Sequence, residues 1–141
     1  MRPCSIARTL EVIGDKWSLL AVRELMLGNH RFDDIARRTG APRDILTARL
    51  RKLEAHGLVE RRQYQDRPPR RDYHLTTLGW SLQPVITMLR AWGDAHLADA
   101  SGPPVAFVHS CGHLLEPAVV CAHCGGEAGR ESLQLQRSRG A

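Results

Sequence analysis

Thr39-Gly40-Ala41-Pro42-Arg43-Asp44-Ile45-Leu46-Thr47-Ala48-Arg49-Leu50-Arg51-Lys52-Leu53-Glu54-Ala55-His56 is the stretch on which the reading of this chain turns. Thr39 to Pro42 has turn composition, and Pro42 suits the first turn of a helix, where its missing N–H costs nothing. At about 100° per residue, Leu46, Leu50 and Leu53 fall on one face of a helix from Pro42 to His56. The opposite face carries Asp44, Thr47, Ala48, Arg51, Lys52 and Ala55. That face is small and polar with two cations, as a helix entering a major groove requires, because Thr, Asp and Arg can reach base edges there. Taken alone, the pattern also fits an ordinary amphipathic surface helix. The flanking segments decide between the two.

On the C-terminal side, Leu58 to Tyr64 alternates as a strand does, and Asp72 to Leu75 is its expected partner. The tip between them is Gln65-Asp66-Arg67-Pro68-Pro69-Arg70-Arg71, stiffened by two prolines that cannot extend a sheet. Arg61, Arg62, Arg67, Arg70 and Arg71 surround it. A like-charged loop is commonly solvated surface; beside a reading helix, it points to phosphate or minor-groove contact. On the N-terminal side, three helices are expected. The first runs from an N-cap at Ser5 to Gly14, with Ile6, Leu10 and Ile13 in phase. The second runs from Asp15 or Lys16 to Leu27, with Trp17, Leu20, Ala21 and Leu25 inward. A short third, Arg31 to Arg38, carries Phe32 and Ile35. The predicted fold is mainly α with a small β-hairpin wing, a winged helix-turn-helix, followed by a small metal-ribbon-like appendage.

Thr76-Thr77 reads as the N-cap of a long helix to Ala98, with a break before Pro84. Its apolar stripe, including Leu82, Ile86, Leu89 and Trp92, is wider than one small domain covers. This helix, together with the N-terminal helix, is therefore expected to meet a second copy of the chain. Two reading modules held roughly 34 Å apart would address two half-sites on one face of a duplex. The domains expected are 1–98 for DNA binding and dimerisation, 99–104 as linker, 105–127 as a metal-ribbon-like segment and 128–141 as a disordered tail.

The chain of 141 residues is one domain's worth plus an appendage, and its 43% hydrophobic content is ordinary for a globular protein. No apolar run approaches the roughly 20 residues of a membrane span. The N-terminus lacks the apolar core of a signal peptide. A cytoplasmic location without a membrane partner is the expectation. A net charge of +5 and a pI of about 9.5 favour a polyanionic partner.

Several motifs resemble those of the HxlR-type regulators, a bacterial winged-helix family related in architecture to MarR proteins. They are Cys4, Gly14-Asp15-Lys16-Trp17, Arg23-Glu24-Leu25, Arg31-Phe32, Leu46-Thr47, Gly57-Leu58-Val59, Pro68-Pro69-Arg70-Arg71, Tyr73, Gly79 and Trp92. The similarity covers Cys4 to Leu97 and implies a dimeric transcriptional regulator on a near-palindromic operator, by default a repressor. Ser5 departs from the family, where proline often follows the cysteine. The resemblance also implies a redox-sensing role for Cys4, whose thiolate a helix N-terminus would stabilise. The alternative is a small buried apolar group at the dimer edge.

Beyond Ser101-Gly102-Pro103-Pro104, three cysteines and three histidines fall within 109–124. Cys121-x-x-Cys124-Gly125 has the form of a zinc knuckle. Cys111 with His113, or with His109 as the alternative ligand, would complete a closed tetrahedral site for structural zinc, with a β-hairpin expected between the two ligand pairs. A Cys121–Cys124 disulfide and chance clustering are the competing readings. Beyond Glu127 the tail adds Arg130, Arg137 and Arg139 as weak DNA contacts. No organic cofactor is implied.

Catalysis has little support: there is no Gly-rich phosphate loop, nucleophile elbow or carboxylate pair beside the Cys/His cluster. A zinc-ribbon interaction module on a winged-helix scaffold is the other rival, and it would predict a neutral reading helix and wing. The expected DNA-binding set is Arg43, Asp44, Thr47, Ala48, Arg51, Lys52, Arg67, Arg70 and Arg71. In it the wing arginines clamp phosphates, Arg43, Thr47 and Arg51 approach bases, and Asp44 and Ala48 shape the fit.

Overall fold

Leu46, Leu50 and Leu53 are all 0% exposed in the computed structural model, which describes residues 3–136. They lie on α4 (Arg43–Ala55), preceded by α1 (Ser5–Ile13), α2 (Lys16–Met26) and α3 (Phe32–Thr39). Strands β1 (Val59–Gln65) and β2 (Arg70–Leu75) follow, then α5 (Thr77–Trp80) and α6 (Gln83–His96). The core joins these leucines to Ala21, Val22 and Leu25 of α2, Ile35 of α3, and Leu58, Val59 and Leu75 at the base of the hairpin.

Each boundary has a local cause. Cys4, not Ser5, stands at the N-cap of α1, with its carbonyl accepting the Arg8 N–H. Asp15 caps α2 through the N–H groups of Trp17 and Ser18. The inward face of α2 is rotated from the expected one. Ser18, Ala21, Val22, Glu24 and Leu25 are buried, whereas Trp17 and Leu20 are half-buried. Burying Glu24 requires partners. Its carboxylate receives two bonds from Arg23, at 2.6 and 3.0 Å, and one from Asn29 at 2.7 Å. Gly40 closes α3, Pro42 occupies the N-cap of α4, and the Pro42 carbonyl accepts the Leu46 N–H.

The strands pair antiparallel from Val59↔Leu75 to Gln65↔Arg70, with an irregularity between Gln63 and Gln65. The hairpin is anchored where Tyr73 donates its N–H to the His30 carbonyl and His30 stacks on His74, 4.1 Å between ring centres. The expected break before Pro84 is present, and it divides the predicted long helix into α5 and α6. α6 ends at His96 rather than Ala98.

The chain divides into two compact units, Met1–Ile86 and Thr87–Ala141, a division that falls inside α6 rather than after it. In the second unit, two isolated antiparallel bridges, Val108↔Leu114 and Val120↔Glu127, each close a tight turn. This differs from the single hairpin expected between the ligand pairs, because each pair sits inside its own turn. Residues 128–136 are not featureless either: the Ala128 N–H returns to Val119, and Ser132 closes a turn on Gly129. Arg137 and Arg139 lie outside the described residues.

Candidate nucleic-acid interface

Burying three leucines of α4 forces its opposite side outward. Arg43, Asp44, Ala48, Arg51 and Ala55 are exposed, and Thr47 is half-buried. The Thr47 hydroxyl donates to the Arg43 carbonyl at 2.8 Å, which leaves its lone pairs facing outward for an incoming donor. Lys52 departs from the expected set, since its ammonium donates to the Glu11 carbonyl of α1. It braces α4 against α1 instead of projecting with Arg51.

The distribution of ion pairs separates structural arginines from available ones. Arg49 pairs with Asp15, Arg61 with Glu54, Arg62 with Glu60 and Arg37 with Asp34. Arg43 lies 2.7 Å from Asp33 and 4.8 Å above the Phe32 ring, so it is drawn toward the N-terminus of α3. Among the described residues, nine arginines have no anionic partner: Arg8, Arg31, Arg38, Arg51, Arg67, Arg70, Arg71, Arg90 and Arg130. Three of these nine occupy the wing tip and one the outer face of the helix after the turn. Cations left without internal anions are the ones a phosphate backbone can engage at least cost, since no existing pair must break.

Two contributors escaped the sequence reading. Arg31, at the N-cap of α3, stacks over Tyr64 of β1 at 4.8 Å and so ties the wing to the helix-turn-helix. Arg38 is exposed near the end of α3, just before the turn. Arg38 falls outside the 42–56 window, and the Arg31–Tyr64 contact joins elements distant in sequence. Arg31 is read in the sequence only as part of the Arg31-Phe32 motif, and Arg38 belongs to no motif.

From Leu82, just before α6, to Trp92 within it, the apolar stripe splits. Leu82 and Ile86 pack against the core, while Leu89 is 53% and Trp92 59% exposed. On α1, Ile6 is 70% and Leu10 55% exposed. Cys4 is half-buried and makes no side-chain capping bond.

The expected metal ligands form two pairs. Cys111 Sγ lies 3.8 Å from His113 Nδ1. Cys121 Sγ is approached by the amides of Cys124 and His123 and by the Cys124 thiol, which together hold the Cys121 thiol below its ordinary range. Among the described residues, no three His, Cys, Asp or Glu side chains already converge on one point. Nor, among them, is any helix long and apolar enough to cross a membrane.

Residues 12–101 match the family model described as HxlR-like helix-turn-helix. A relative in Mycobacterium tuberculosis strain H37Rv, described as the uncharacterized HTH-type transcriptional regulator Rv3095, is 42% identical over 87% of this chain and 78% of its own. YybR of Bacillus subtilis, described in the same terms, is 35% identical over 66% of this chain and 75% of its own. Among solved structures, PA1607, described as a candidate transcription factor, superposes with a TM-score of 0.85 at 30% identity, covering 98% of this chain and 97% of that one. The redox regulator HypR in its reduced form superposes with a TM-score of 0.59 at 33% identity, over 65% of this chain and 92% of that one.

Proposed function

Since the chain belongs to the HxlR-like helix-turn-helix family of transcriptional regulators, we propose that it acts as a dimeric repressor, with α4 in the major groove and the β1–β2 wing on the adjacent backbone. The observation that carries this reading is the set of unpaired cations, Arg51 on the outer face of α4 and Arg67, Arg70 and Arg71 on the wing. Arg51 and Thr47 approach base edges, Asp44 and Ala48 set the fit, and the wing arginines hold phosphates without reading sequence. Arg43 joins them once it leaves Asp33. Repression follows from occupancy, because a dimer seated over two half-sites obstructs polymerase. The exposed Leu89 and Trp92 of α6 and Ile6 and Leu10 of α1 supply apolar surface for the second copy.

A thiol response through Cys4 forms part of this proposal. The residue stands at the N-terminus of α1, and HypR, one of the structures that superposes on the chain, is described as a redox regulator.

A binding titration tests the central reading. The protein is titrated with DNA from upstream of its own gene and with a scrambled duplex, at two salt concentrations. The expected result is selective binding to the upstream DNA with a steep loss of affinity as salt rises. Equal, weak binding to both duplexes would count against an operator at that locus and against autoregulation.

A further inference from the structure

The segment after α6 is built from two turns of one design. Val108-His109-Ser110-Cys111-Gly112 is closed by hydrogen bonds from Gly112 N to His109 O at 2.9 Å and from His109 N to His113 O at 2.8 Å. Val120-Cys121-Ala122-His123-Cys124-Gly125 is closed by Gly125 N to Cys121 O at 2.7 Å and Cys121 N to Gly126 O at 2.8 Å. In both, a cysteine directly precedes a glycine with positive φ, 89° at Gly112 and 74° at Gly125, where a side chain would be strained. Each turn presents two soft donors side by side in solvent: Cys111 with His113, and Cys121 with Cys124.

What holds these turns is the second observation. Among the described residues beyond His96, none is buried. Phe107, Val108, Leu114, Val119 and Val120 are 41% to 70% exposed. The hydrophobic effect therefore contributes little, and hydrogen bonds in solvent-exposed turns add only modestly. A short segment without a core commonly gains its stability from metal or disulfides.

We infer that Cys111, His113, Cys121 and Cys124 form a tetrahedral site for a thiophilic divalent cation, zinc by ligand chemistry, in which the two turns close on one ion. The first pair is already spaced for it. Zinc–sulfur and zinc–nitrogen bonds of about 2.3 and 2.0 Å at a tetrahedral angle place the two donors about 3.5 Å apart, against 3.8 Å in the structure. His113 is chosen over His109 because His109 Nδ1 already accepts the Cys111 N–H at 3.3 Å. Three thiols yield their protons to solvent as the ion binds. Four protein ligands leave no open position, so the site is structural.

The experiment is a cobalt(II) titration of the reduced, metal-free, full-length protein, followed by absorbance, with zinc content measured on protein as purified. The expected result is one cobalt per chain, with thiolate charge-transfer absorption and the intense visible bands of a tetrahedral ion, displaced by zinc. Cys121→Ser and Cys111→Ser should each abolish the tetrahedral spectrum, His113→Ala should weaken it, and His109→Ala should leave it. All four variants should keep the far-ultraviolet dichroism of the winged-helix unit. Absence of tetrahedral bands in the reduced wild type overturns the inference. So does one ion per two chains, which would mean a bridge between two Cys121/Cys124 pairs. A spectrum lost with His109 but kept without His113 overturns the ligand assignment.

Discussion

Asp15 and Arg49 tie the start of α2 to the middle of α4: Arg49 Nε lies 3.1 Å from Asp15 Oδ1. The Arg49 N–H is not aimed along that line, so the contact is an ion pair rather than a hydrogen bond. The same carboxylate accepts the amides of Trp17 and Ser18 and the Ser18 hydroxyl. One side chain thus starts α2 and braces the reading helix. Burial alone would raise the Asp15 carboxyl, but the Ser18 hydroxyl and amide, the Arg49 charge and the Trp17 amide outweigh it and hold it below its ordinary 3.8. A carboxyl lowered by folding contributes stability that is complete above the ordinary value and is lost as pH falls through the folded one. Asp15→Asn keeps a capping acceptor but removes the charge favoured by Arg49 and the α2 N-terminus, and should therefore cost about 0.5–1 kcal/mol at neutral pH, with the difference from wild type vanishing in acid. Urea unfolding across that range measures it, and a deficit that persists unchanged in acid would refute the account.

Arg51 and Arg70 differ in what surrounds them, one on the outer face of α4 and one on a Pro-stiffened tip. Arg51→Ala should lose about 1–3 kcal/mol on the cognate operator and relax preference at one position. Arg70→Ala should weaken cognate and scrambled DNA alike and reduce the salt slope by about one. Titrations against a set of single-base operator variants separate the two. Equal relaxation of specificity by both changes would end this division of labour.

In the proposed docking, Asp33 would compete with phosphate for Arg43. The pair is 2.7 Å apart, with side chains 67% and 81% exposed for Arg43 and Asp33, so it is worth no more than about 1 kcal/mol in water. Asp33→Ala should leave folding intact and tighten DNA binding by a few-fold, with a steeper salt dependence. Unchanged affinity and slope would place Arg43 outside the interface.

The elements legible in the sequence are those whose logic is local. Leu46, Leu50 and Leu53 repeat at helical spacing, and Pro68-Pro69 limits the strands, so α4 and the wing could be placed within a residue or two. What was not legible depends on side-chain partners that spacing does not announce. Lys52 and Arg51 are adjacent and look equivalent, yet the Glu11 carbonyl, on an element packed from far upstream, takes one of them. Asp33 takes Arg43 in the same way. Glu24 reads as a surface residue until Arg23 and Asn29 are seen to satisfy it in the interior. In the tail, spacing revealed the donors but not that each pair has its own turn. The hydrogen bonds that form those turns involve backbone groups, which carry no residue signature.

Gly79 allows α5 to lie against the hairpin base. A Cβ there would stand 2.1 Å from the Leu58 carbonyl oxygen and 2.9 Å from a Leu75 methyl. The Leu58 oxygen also accepts the Thr76 N–H at 3.1 Å, so it cannot easily retreat. Gly79→Ala should destabilise the fold by about 1–3 kcal/mol through overpacking, read as a lower urea midpoint. Gly93, where an added Cβ meets nothing, is the control and should tolerate the same change.

Trp92 lies on α6 and Leu82 in the turn just before it, and their opposite surroundings separate association from folding. Leu82 packs on the core, whereas Trp92 is 59% exposed. If α6 binds a second copy, removing the Trp92 indole takes apolar area from the interface and none from the core. Trp92→Glu should then yield a folded monomer in sedimentation, with weakened operator binding because one half-site contact replaces two. The melting midpoint of the wild type should rise with protein concentration, as it does for any state stabilised by association, while that of the variant should not. Leu82→Ala should lower the midpoint at every concentration and leave the concentration dependence in place. A Trp92→Glu protein that remains dimeric would move the interface away from α6.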